Sequence, residues 1–114
     1  MPVLTITTNA KSENEIQTSL LQEISSSVAQ MIGKPERYVM VSLTHNDNMV
    51  FAGNSEALAY LEFKSIALPE NETTKFSQHL CELIANKLGV NPDRIYIEFS
   101  NAQRHLFGWN SATF

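Results

Sequence analysis

The residue with the most direct chemical potential stands second in the chain. Once Met1 is removed, Pro2 presents a secondary amine, and an α-amine has an ordinary pKa of roughly 7.7–8.0. That lies close to the range in which a general base works best. Pro2 opens a run, Val3 to Thr8, that alternates like a strand, so the amine would be held on a rigid element rather than on a loose tail. A Met-Pro start is common in chains without such chemistry, and while Met1 stays attached the Pro2 nitrogen is an amide with no basic lone pair. The other reactive side chains form no comparable site. His45, His79 and His105 fall on a loop, a helix and a C-terminal segment, with no metal-ligand spacing among them, and read as surface or packing residues. Cys81 is the single cysteine, which excludes an internal disulfide and a two-thiol redox motif. Its place on the inward side of a helix fits a small core hydrophobe. There is no Gly-rich phosphate loop and no nucleophile elbow, so neither a cofactor nor a metal is expected.

The elements that must position Pro2 follow from periodicity. Val3 to Thr8 places Leu4 and Ile6 on one face. Ser12 and Glu15 have the spacing of a capping box at a helix start. Ile16, Leu20, Ile24, Val28 and Met31 then recur at helical intervals up to Gly33, a residue suited to the left-handed turn that ends helices. Tyr38 to Thr44 alternates again, as does Leu58 to Ile66, with Ala59, Leu61 and Phe63 facing one way. Phe76, Leu80, Leu83, Ile84 and Leu88 mark a second helix closed by Gly89, and Arg94 to Phe99 is a fourth strand with Ile95, Ile97 and Phe99 inward. The two halves repeat at a spacing of 57: Pro35-Glu36-Arg37 matches Pro92-Asp93-Arg94, Leu4 matches Leu61 and Ile6 matches Phe63. Two βαβ repeats predict an α+β, ferredoxin-like domain with two helices on one face of a four-stranded sheet. The opposite face would carry Thr5, Thr7, Ser42, Tyr60, Glu62, Lys64, Tyr96 and Glu98. Such a face meets water, or its exposed edges pair with another subunit.

Bulk properties bound the partners. A chain of 114 residues, 43% hydrophobic and 18% charged, is read as one domain over 1–114 able to bury its own core. With a net charge of -4 and no Lys/Arg cluster, neither nucleic acid nor an anionic membrane is an expected partner. No apolar run approaches the ~20 residues that span a bilayer. No basic segment followed by an apolar stretch opens the chain, so a cytoplasmic location is expected and the sequon Asn71-Glu72-Thr73 reads as a chance match.

Several stretches together resemble the macrophage migration inhibitory factor family of the tautomerase superfamily. They are Pro2 to Asn9, Gly33-Lys34-Pro35 with Tyr38, Ser65-Ile66, Asn91-Pro92-Asp93-Arg94-Ile95-Tyr96, and the ending Gly108-Trp109-Asn110-Ser111 with Thr113-Phe114. The resemblance runs the full length. It implies a homotrimer whose three sheets surround a channel, with each active site between two subunits. It also implies an isomerase, a keto–enol tautomerase acting on aromatic 2-keto acids such as phenylpyruvate and on dopachrome-like compounds. By that resemblance Pro2 is the catalytic base, and Lys34 with Ser65 and Ile66 holds the substrate carboxylate. Tyr38, Phe107, Trp109 and Phe114 line an aromatic pocket, and Tyr96 arrives from the neighbouring subunit. Physically the set is consistent: an apolar pocket and the Lys34 charge both favour the neutral amine, and Lys34 supplies a local cation for an anionic substrate.

Departures from the family pattern qualify the expectation. Glu98 stands where animal members carry asparagine against the substrate. A carboxylate there favours the protonated amine and repels an anion, so activity weaker or differently tuned than in animal members is expected. Leu58 and Leu61 replace the Cys-x-x-Cys pair, so no thiol-reductase activity is expected. Two other classes stay open. One is a cytokine-like or host-interaction role after leaderless secretion, disfavoured because Lys11 and Asn46 stand where receptor-contacting Arg and Asp lie in animal proteins. The other is a non-catalytic trimeric scaffold.

Overall fold

The computed structural model of the chain describes residues 1–11 and 14–114, with the backbone alone for residues 14–17. The proposed capping pair, Ser12 with Glu15, and the side chain of Ile16 therefore lie outside the described residues. Strand β1 (Val3–Thr8) leads to helix α1 (Asn14–Ile32) and strand β2 (Met40–His45). Strand β3 (Ala59–Ile66), helix α2 (Thr73–Leu88) and strand β4 (Ile95–Ala102) repeat the pattern. The sheet order is β2-β1-β3-β4. In each half the two strands are adjacent and parallel, and the halves join antiparallel through β1 and β3. The α+β architecture of two βαβ units is the one the repeat predicts.

Alternation in the strands decides which side packs. Leu4, Ile6, Leu61 and Phe63 are wholly buried against Ile24 and Val28 of α1 and Leu80 and Ile84 of α2. Each such side chain contributes about 1.5–3 kcal/mol when removed from water. Phe63 sits at the centre, its ring 6.3 Å from Phe76 and 6.1 Å from Phe99. Cys81 packs half-buried against this core, and burial pushes its thiol above the ordinary 9.0. Gly33 and Gly89 end the helices with φ of 71° and 69°, values that side chains other than glycine adopt at a cost. No described helix is long and apolar enough to cross a membrane.

Strand β4 runs on to Ala102, past Phe99, and two strand starts differ from the sequence reading for one reason. Tyr38 and Arg94 do not begin strands; each ends a 3₁₀ turn, Glu36–Tyr38 and Pro92–Arg94. Proline at the start of these turns fixes the backbone, and the Tyr38 and Arg94 amides close on Pro35 and Asn91 carbonyls at 3.1 and 2.8 Å. The turns release both side chains from the sheet. The C-terminal segment also adds a hairpin that periodicity did not mark, β5 (Gly108–Trp109) with β6 (Ala112–Thr113). Its two-residue turn holds Asn110 and Ser111 at φ 51° and 63°, the conformation that suits a tight hairpin.

Candidate active site

At one end of the sheet the start of β1, the end of α1 and the end of β3 converge. Pro2 is buried, and its carbonyl accepts the Met40 amide at 3.0 Å, so the chain is fixed before its first strand residue. Gly33 turns the chain off α1, and the Gly33 and Lys34 amides both close on the Ala29 carbonyl, at 2.9 and 3.2 Å. That turn sends the Lys34 side chain across to β3. Its ammonium donates to the Ser65 hydroxyl at 2.9 Å and to the Ile66 carbonyl. Ser65 is polar and fully buried, and it donates onward to the Ile66 carbonyl at 3.1 Å. A buried hydroxyl requires such partners, and here they fix the position of a cation.

Electrostatics at this end favour a neutral amine. Burial first, and then the positive charge of Lys34, hydrogen bonding to Lys34 and the charge of Arg104, push the Met1 amine from 8.0 down to about 6. Burial also lowers Lys34 from its ordinary value, with Arg104 adding to the effect and hydrogen bonding to the terminus opposing it. The hollow between these groups measures about 290 Å³ and is lined by Met1, Lys34, Tyr38, Ile66, Arg104 and Phe114. A larger open hollow of about 550 Å³ lies along β4 beside Lys64, Asn101 and Phe107, and neither Met1 nor Pro2 lines it.

Tyr38 and Phe114 wall the smaller hollow, and Trp109 and Phe107 pack behind them. Trp109 and Phe114 stack with centroids 5.4 Å apart and planes 19° from parallel. Tyr38 meets both edge-on, at 5.6 and 6.1 Å, and Phe107 meets Phe114 edge-on at 6.0 Å. The tight hairpin makes this possible: it folds residue 114 back so that its amide donates to the Phe107 carbonyl at 3.1 Å. Of the residues expected from sequence, Pro2, Lys34, Ser65, Ile66, Tyr38, Phe107, Trp109 and Phe114 thus gather at one end of one chain.

Tyr96 and Glu98 do not join them. Both point from β4 to the exposed face of the sheet. The Tyr96 ring lies 4.7 Å from that of Phe51. Glu98 accepts the Tyr60 hydroxyl at 2.6 Å, and this bond to a carboxylate pushes the Tyr60 phenol up to about 12. Tyr96 is held there by Arg94, which donates to the carbonyls of Phe51, Asn54, Glu56 and Ala57 at 3.1–3.2 Å and anchors the loop carrying Phe51. Sequence reading missed Arg104. It stands in a 3₁₀ turn, Arg104–Leu106, just beyond β4, and no spacing in the sequence singles it out. Two histidines lie elsewhere, His45 bonding Asp47 at 2.8 Å and His79 bonding Ser27 at 2.8 Å, while His105 follows Arg104 in the 3₁₀ turn and is exposed.

Comparison with known proteins gives a consistent picture over the whole chain. The family model described as macrophage migration inhibitory factor (MIF) matches residues 1–114. The macrophage migration inhibitory factor of Meriones unguiculatus is 33% identical, covering 100% of this chain and 99% of that protein. A solved homologue from Prochlorococcus marinus is 42% identical with a TM-score of 0.90 and covers 98% of each chain. A solved protein from Trichinella spiralis, 28% identical, also superposes with a TM-score of 0.90, covering 98% of this chain and 99% of that one.

Proposed function

The chain belongs to the macrophage migration inhibitory factor family, within the tautomerase superfamily, and from that premise we propose that it is a keto–enol tautomerase with Pro2 as general base. The observation that carries the proposal is the environment of the Met1 amine: half-buried before the head of β1, beside Lys34, and held below the ordinary value for an amine. Loss of Met1 would transfer the free amine to Pro2, one residue deeper in the same surroundings. There it would be a neutral secondary amine at working pH, able to take the proton from the carbon beside a carbonyl and return it across the enol.

The substrate class follows from the walls. A 2-keto acid presents a carboxylate to Lys34, whose position is fixed by Ser65 and Ile66. Its aromatic end meets Tyr38, Phe107, Trp109 and Phe114. Phenylpyruvate has both parts. Lys34 lines the hollow beside Met1, so removing Met1 opens its ammonium to the carboxylate. Tyr96 and Glu98 face away from this pocket in their own chain, and in a homotrimer they would reach the pocket of a neighbour. The carboxylate of Glu98 would then favour the protonated base, giving activity weaker or differently tuned than in animal relatives. A signalling role is compatible with the family as well, but the charged pocket is a feature that only the enzyme reading uses.

The test is intact mass spectrometry with phenylpyruvate tautomerisation, on Met1-free protein and on Pro2→Gly. Turnover that is lost in the variant supports Pro2 as the base. Equal rates would eliminate the enzyme reading and favour scaffold or signalling roles.

A further inference from the structure

Arg104 is the pocket cation that the proposed chemistry leaves without a task. Lys34 already donates to Ser65 and Ile66. The Arg104 guanidinium makes no side-chain hydrogen bond or ion pair with any described residue, although it lines the same hollow. No acidic side chain lines that hollow, so two positive charges face it uncompensated, in a protein whose net charge is -4. One carboxylate neutralises one of them. The other, exposed to water at the rim of the hollow, still repels its neighbour, and a second anion relieves that repulsion. The planar fork of a guanidinium suits a carboxylate held by two parallel hydrogen bonds.

We infer that Arg104 binds a second acidic group on the substrate, so that the site prefers an aromatic 2-keto acid carrying two carboxylates to one carrying a single carboxylate. The inference rests on the Pro2 reading for turnover, whereas the binding preference stands without it. Lys34 takes the carboxylate beside the keto group, the ring lies against Phe114 and Tyr38, and Arg104 meets the carboxylate at the far side. Arg104 is then a substrate-binding residue that sets specificity and takes no part in proton transfer.

The experiment compares phenylpyruvate with its para-carboxylated analogue, and phenylacetate with its para-carboxylated analogue as inert binding probes. Met1-free protein and Arg104→Gln are used. The expected result is tighter binding of the doubly charged probe by at least about tenfold at low salt, fading as salt rises. In Arg104→Gln that preference disappears, and KM for the doubly charged keto acid rises about tenfold while KM for phenylpyruvate changes far less. Arg104→Lys restores part of the preference, because the charge returns without the fork. Equal probe affinities in the unsubstituted protein would overturn the inference, and so would an equal kcat loss on both substrates, which would place Arg104 at the reacting carbonyl. Probe discrimination without turnover of either keto acid would count against Pro2 alone.

Discussion

The first half of the chain places Lys34 directly after its helix; at the matching position 57 residues on, the second half places Asn91. The same spacing pairs Thr8 with Ser65, two fully buried hydroxyls. Thr8 keeps its bonds within the scaffold, donating to the Leu58 carbonyl at 2.6 Å and accepting the Ala10 amide at 3.0 Å. Ser65 instead accepts from Lys34. Arg37 lies 4.8 Å from the Tyr38 ring beside the pocket, whereas its counterpart Arg94 uses its fork on four loop carbonyls. The backbone is duplicated and the polar groups are not. A cation whose donors all end on carbonyls is architecture. One whose donors face a hollow is available to a ligand.

Substitutions separate the two roles. The largest effect is expected for Pro2→Gly in processed protein, a loss of roughly 10²–10⁴ in kcat/KM on phenylpyruvate with an unchanged melting temperature. Substituting Ala59, the position matching Pro2 in the second half, should alter stability alone, and a comparable rate loss there would break the contrast. Arg94→Ala should destabilise by about 2–3 kcal/mol through its lost carbonyl bonds, read as a melting temperature lower by roughly 10 °C.

Lys34→Met should do the reverse. Ser65 keeps its own bond to Ile66, so stability changes little, while kcat/KM falls about 10- to 100-fold from one lost charge-assisted contact. The pH profile gives a sharper reading of the same contrast. A positively charged acid held below its ordinary value is deprotonated earlier as pH rises, so activity should climb through an inflection below the ordinary value of the Pro2 amine, as burial and Lys34 lower the Met1 amine in the same surroundings. Removing the Lys34 charge should move that inflection upward; a downward move would contradict the electrostatic account. The smallest effect belongs to Glu98→Asn, a gain of roughly two- to fivefold on phenylpyruvate, in line with an exposed charge. No gain would remove Glu98 from the tuning of the base.

Much of this arrangement was legible in the sequence, because burial writes its own period. Leu4, Ile6, Leu61 and Phe63 alternate since each strand has one dry face, and the repeat doubled the signal. The site was legible in part through resemblance: Pro2, Lys34 and the Gly108–Trp109 ending are unusual in combination. What escaped has no period. The hairpin turn at Asn110 and Ser111 depends on two positive φ angles in residues that carry side chains, and Arg104 enters the pocket only because a 3₁₀ turn follows β4. The release of Tyr38 and Arg94 from strand positions was written locally, in the prolines at 35 and 92, yet alternation alone extended the strands through them.

Arg104 and Phe114 lie against Met1 around the pocket, and residues 104–114 are translated after everything they cover. An exopeptidase that clips the initiator therefore competes with the closing of that wall. Met1 is half-buried in the complete fold, so the wall shields the bond that such an enzyme must reach.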